Sequence, residues 1–156
     1  MPSSAEVRFH PVPGFMGLPA ARAAATGAAR ACVVGIPFDC GTHPFRVGSR
    51  QGPDAIREQS RLLRPVDIFR RHGIDNPPEF LRAIDVGNVA CHPGDPDASY
   101  PLIEAGIGAI LDTGAIPISM GGDGAVTLPQ LRAVAQRHPD FVVLHFDSHT
   151  DTYPIP

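Results

Sequence analysis

The chain has 156 residues and, with 13 basic against 16 acidic side chains, a formal net charge of −3; this fits one domain and excludes the strongly basic footprint of a nucleic-acid binder. All 13 basic residues are arginine, which excludes Schiff-base, pyridoxal-phosphate and P-loop lysine chemistry, and no apolar run approaches the roughly 18 residues needed to cross a membrane. The cysteines, Cys32, Cys40 and Cys91, are odd in number and lack C-x-x-C spacing, which predicts reduced thiols in a cytoplasmic protein rather than a disulfide framework or a zinc ribbon.

Residues 1–30 read as an N-terminal arm: Met1–Pro19 is punctuated by Pro and Gly, and Ala20–Ala31 is alanine-rich enough for a short helix. From residue 31 onward apolar β-type runs alternate with helical patterns. Ala31–Ile36 predicts a buried strand stopped by Pro37. Gly52–Leu63 predicts a helix, with Pro53 at its first position and Asp54 in its first turn. Leu81–Val86 predicts a second strand, closed by Gly87 and Asn88. A helix follows over Ser99–Asp112, with Ser99 as N-cap and Gly114 as the terminating glycine. Ala115–Met120 predicts a strand in which Pro117 argues against a central position. Val126–Arg137 predicts a helix with Leu128, Leu131, Val134 and Ala135 on one face, and Phe141–Phe146 a last strand. Strands alternating with helices predict a three-layer α/β/α arrangement with a mainly parallel sheet over residues 31–156.

In such sheets ligands bind beyond the carboxyl ends of the strands. Three polar clusters fall there: Asp39-Cys40-Gly41-Thr42, Gly121-Gly122-Asp123-Gly124 and Asp147-Ser148-His149-Thr150-Asp151. In the last of them, Asp147, His149 and Asp151 stand at alternate positions just past an apolar run. Two carboxylates and an imidazole so spaced converge on one side of an extended turn and suit Mn, Ni, Fe or Zn better than Ca. The alternative is a surface turn of capping aspartates with a solvated histidine.

The ordered stretches G-I-P-F-D-C-G-T (35–42), R-V-G-S-R-Q-G-P-D-A-I-R-E-Q-S (46–60), D-V-G (85–87), G-G-D-G-A-V-T-L-P (121–129) and H-F-D-S-H-T-D-T (145–152) together resemble the ureohydrolases: arginase, agmatinase, guanidinobutyrase and their relatives. The resemblance runs from Gly35 to the last residue. It implies hydrolysis of a small guanidino compound to urea and an amine at two manganese ions, nickel in some members, that share a bridging hydroxide of lowered pKa. By the same resemblance Asp147 bridges both ions, His149 holds one and Asp151 the other.

Two departures accompany the match. Where the family pattern G-G-D-H supplies a metal-binding histidine, this chain has Gly124. The family's later S-x-D-x-D aspartates and late glutamate have no counterpart before Pro156, so each ion is left with two ligands, fewer than stable sites use. The chain is therefore identified as the N-terminal half of an agmatinase-like ureohydrolase, incomplete as a catalyst. The alternatives are a degenerate, non-catalytic homologue acting as a binding or partner subunit, and a truncated gene product; the expected partners are a small guanidino substrate and either further copies of the chain, as a homo-oligomer, or a partner subunit.

Among the remaining polar residues, Asp123 is expected to bond the backbone of its glycine-rich turn. His43, in a Pro-flanked loop, is either plain surface or part of a substrate pocket wall. Cys40 reads as a small loop residue, His145 as a satisfied core histidine, and Arg46 and Arg50 as residues that either hold their own loop or clamp a substrate carboxylate. The resemblance also implies that later family strands separate Phe141–Phe146 from Ala115–Met120. That run is then either unpaired on both sides or re-paired with Ala115–Met120 through a right-handed crossover.

Overall fold

A computed structural model describes residues 9–10, 12–20, 28–41, 47–62, 70–75 and 77–150. At its centre lies strand β2 (Ala31–Ile36), all six residues of which are buried. An unbroken apolar run of this kind fits only a strand covered on both faces. It pairs in parallel with β3 (Ala83–Val89) on one side and β4 (Ile116–Gly121) on the other. β1 (Phe9–His10) adds an antiparallel strand outside β3, giving the order β1-β3-β2-β4.

The helices are α1 (Gly52–Ser60), α2 (Pro77–Leu81), α3 (Pro96–Leu111) and α4 (Thr127–Ala135). Side chains alternate across β2. Cys32, Val34 and Ile36 pack with Ile103, Ile107 and Ile110 of α3 and Ala133 of α4. On the opposite face Ala31 and Val33 pack with Leu18, Ala83 and Met120. This is the expected α/β arrangement with a mostly parallel sheet, and among the described residues no helix is long and apolar enough to cross a membrane.

Several boundaries move for local reasons. Most of the expected Ala20–Ala31 helix lies outside the described residues; Ala20 forms a parallel bridge to Asp85, and Ala31 opens β2. Leu81 ends a helix rather than opening a strand. Gly87 and Asn88 do not close β3, because Gly87 takes a left-handed φ of 85° where the register against β2 slips, and pairing continues to Val89. The helix expected from Ser99 begins at Pro96, since Asp95 caps it by accepting the Ala98 N–H at 3.0 Å. Ser99 is instead buried, its hydroxyl accepting from His92 N and donating to His92 O. Gly114, at φ 79°, does turn the chain out of α3.

Two corrections concern the chain after β4. The expected face of α4 is not its buried face: Val126, Pro129 and Ala133 are buried, whereas Leu128 is exposed. Phe141–Phe146 forms no strand and does not re-pair with β4. Val142, Val143, Leu144 and Phe146 are all exposed. The run has β-type composition, but a strand needs a neighbour, and none of the described strands adjoins it.

Candidate active site

The carboxyl end of β2 is where the turns of the sheet are tied together. Gly122 N–H donates to Ile36 O at 3.4 Å and Asp123 N–H to Phe38 O at 3.1 Å, so the turn after β4 continues the ladder beyond β2. The Asp123 carboxylate then bridges two turns. One oxygen accepts Cys40 N–H at 2.7 Å, and the other accepts Ala125 N–H at 3.1 Å and caps the 3-10 turn Gly124–Val126.

Asp39, itself buried, holds the other side of the same end. It accepts the N–H groups of Gly48 (3.1 Å) and Arg50 (3.0 Å) and Arg50 Nε (2.9 Å), and it pairs with Arg50 Nη2. Its carbonyl accepts Gly94 N–H at 2.8 Å, from the turn after β3. Phe38–Cys40 therefore anchors the turns after β3 and β4 as well as the far end of the loop that contains His43. His43 and Arg46 themselves lie outside the described residues.

The Arg50 guanidinium holds the Asp39 carboxyl well below its ordinary value of 3.8. Stabilisation from a depressed carboxylate is complete above that ordinary value and declines as pH falls below it towards the folded value. Protection of the Gly48 and Arg50 amides should therefore persist at pH 3.8 and fade only in stronger acid. Above pH 3.8, Asp39→Asn should weaken it by about 1.5–3 kcal/mol, the worth of hydrogen bonds to a charged group. Amide exchange followed against pH checks both.

The cysteines are free. Burial pushes the thiol of Cys91 up to about 12 and that of Cys32 up to about 11. Cys40 is raised too, by burial and then by the nearby Asp123 carboxylate. A thiol so placed stays protonated and is a poor nucleophile.

The third polar cluster follows the exposed run. The Asp147 carboxylate accepts His149 N–H at 2.9 Å, closing a tight turn, with His149 Nδ1 3.5 Å from Asp147 Oδ1. His145 Nε2 lies 3.9 Å from Asp147 Oδ2; His145 is half exposed and faces this carboxylate, rather than sitting in the core as expected. The His149 amide, with smaller contributions from both imidazoles, lowers the Asp147 carboxyl. Asp147 and His149 thus form an exposed pair of donors. Asp151 lies outside the described residues.

This donor set does not complete a metal centre. Among the described residues no three His, Cys, Asp or Glu side chains group closely enough to hold an ion. Gly124, exposed at the head of its 3-10 turn, offers none, and Asp123 spends both oxygens on backbone amides.

Sequence reasoning passed over one cluster behind the site. Arg57 of α1 is buried and bonds Asp85 through Nε (2.8 Å) and Nη2 (2.9 Å), Asn88 Oδ1 (2.6 Å) and Gly87 O (3.1 Å). Its signal was present, since Arg57 and Asp85 both fall inside the motif stretches, but nothing in their spacing pairs them.

Residues 29–155 match the sequence profile of the Arginase family. Proclavaminate amidinohydrolase of Streptomyces clavuligerus is 33% identical over 147 residues, a match covering 94% of this chain and 45% of that protein. Agmatinase of Bacillus subtilis is 36% identical over 123 residues, covering 79% and 41%. The solved structure of the Streptomyces clavuligerus proclavaminate amidinohydrolase superposes with a TM-score of 0.73 at 32% identity, over 94% of this chain and 48% of that one. The chain spans about half the length of the curated relatives it matches. It belongs to the arginase family.

Proposed function

We propose that this chain contributes part of the active centre of an agmatinase-like ureohydrolase, which hydrolyses a small guanidino compound to urea and an amine. The observation that carries the reading is the family match across residues 29–155, which takes in every motif from Gly35 to Asp151. Relatives bearing the names agmatinase, guanidinopropionase and guanidinobutyrase support a guanidino substrate. In this reading Asp147, His149 and Asp151 are this chain's contribution to a manganese or nickel site whose other donors lie elsewhere. Asp123 and Asp39 position the surrounding turns, and His43 belongs to the substrate loop. Three unpaired thiols suit a reducing compartment, and we place the protein in the cytoplasm.

A second reading, a non-catalytic homologue that serves as a partner subunit, is favoured by one observation: Gly124 stands where the family pattern has a histidine.

Urea release from agmatine and 4-guanidinobutyrate in manganese-containing buffer separates the two. The chain alone is expected to release none. Co-expressed with the part of Bacillus subtilis agmatinase outside the match, it is expected to release urea, and Asp147→Ala is expected to abolish that release. A manganese-loaded assembly that releases no urea would establish the non-catalytic reading.

A further inference from the structure

Helices α3 and α4 pack side by side on one face of the sheet. Between their outer surfaces runs a groove of about 470 Å³, a size common among small-molecule sites. Residues four apart share one face of a helix, so side chains cross the groove in successive rungs one turn apart. At one end Arg137 Nε donates to Asp112 Oδ1 at 2.7 Å and Nη1 to Ala133 O at 3.1 Å. Its guanidinium lies against Gly108, where a Cβ would come within 2.9 Å of Nη2. In the middle, Gln136 Nε2 donates to Glu104 Oε1. The chain closes both of these rungs on itself.

The third rung is open. Tyr100, one turn before Glu104, and Arg132, one turn before Gln136, line the same groove. Among the described residues neither the Tyr100 hydroxyl nor the Arg132 guanidinium has a hydrogen-bond or ion-pair partner. The Tyr100 ring is held edge-on against Phe38, with 6.0 Å between centroids. Burial raises its phenol, with smaller contributions from Cys40 and Asp123, and the Arg132 guanidinium opposes them. The hydroxyl is therefore a neutral, positioned donor beside a free cation. Such a pair takes an oxyanion, which the guanidinium can grip with two N–H groups. Glu104 narrows the choice. Its carboxylate stands roughly one helical turn, ~5.4 Å, further along. It repels a compact, doubly charged anion such as phosphate and attracts a cationic group. A carboxylate with a cation about one turn away satisfies both positions.

We propose that the groove between α3 and α4 is a second small-molecule site, apart from the candidate active site, for a zwitterion of the ω-amino acid class. The ligand carboxylate meets Arg132 and Tyr100, and its ammonium meets Glu104. Every group that makes the site belongs to two helices packed directly on each other, so it does not rest on the functional reading above.

The test is to titrate the isotopically labelled 156-residue chain with 4-aminobutyrate and follow NMR signals of Tyr100, Arg132 and the Gln136 side-chain amide. Saturable shifts are expected in the millimolar range. Arg132→Ala, at an exposed position and so compatible with folding, should weaken binding about tenfold. Tyr100→Phe, which keeps the ring against Phe38, should weaken it about threefold. Butyrate, which lacks the ammonium group, should bind about threefold more weakly than 4-aminobutyrate, and Glu104→Gln should erase that difference. Arg61→Ala, exposed at the end of α1 and outside the groove, should change nothing. Absence of saturable shifts overturns the proposal. So does butyrate or inorganic phosphate binding as tightly as 4-aminobutyrate, or binding indifferent to Arg132→Ala.

Discussion

Arg57→Ala is expected to lower the stability of this chain more than any other single side-chain truncation. The arginine is 2% exposed and grips Asp85, itself 1% exposed, with two guanidinium nitrogens at 2.8 and 2.9 Å. Asp85 also accepts Phe15 N–H at 2.8 Å and Gly87 N–H at 2.9 Å, so the pair joins α1 and the N-terminal segment to β3. Truncation strands a buried carboxylate without its counter-charge, which costs about 3–5 kcal/mol. Against a total stability of about 5–15 kcal/mol, that is a large fraction. The melting temperature should fall by about 6–20 °C. A fall of less than about 2 °C would mean that Asp85 finds a new partner.

Gly122→Ala comes next in size. A Cβ there would overlap the Phe38 carbonyl oxygen and come within 2.9 Å of its carbon and 3.0 Å of the Ile36 oxygen. These are backbone atoms of the central strand and its extension, and they cannot rotate away. Overpacking costs about 1–3 kcal/mol. Moving the turn also strains the Gly122–Ile36 and Asp123–Phe38 bonds, each worth about 0.5–1.5 kcal/mol. Because Asp123 rides on this turn, the Cys40 amide it accepts should lose protection together with global stability. An unchanged melting temperature and unchanged Cys40 exchange would contradict the packing described here.

What could be read from the sequence was what is encoded locally. The ACVVGI run needed no partner to be recognised as a buried strand, and Gly114 marked a helix end. Asp147 and His149, two residues apart, do meet, because one turn brings them together. What could not be read depends on distant residues. Leu128, Leu131, Val134 and Ala135 are apolar at helical spacing, yet the side that α3 and the sheet bury is set by Val126, Pro129 and Ala133. FVVLHF has the composition of a strand, but composition does not supply a neighbour. Asp39 and Arg50 both lie in the motif stretches, but that Asp39 holds the Gly48–Arg50 turn by its carboxylate and the turn after β3 by its carbonyl follows only from the convergence of those turns at one end of the sheet.

The central proposal is that this chain contributes donors to a ureohydrolase metal centre. Titration of the 156-residue chain with Mn2+ by calorimetry tests it most directly. The account predicts weak binding that Asp147→Ala removes and that Gly124→His, supplying the donor that the family pattern has at that position, strengthens by about tenfold, or about 1.4 kcal/mol. Two tight sites per chain, or binding indifferent to Asp147→Ala, would contradict it.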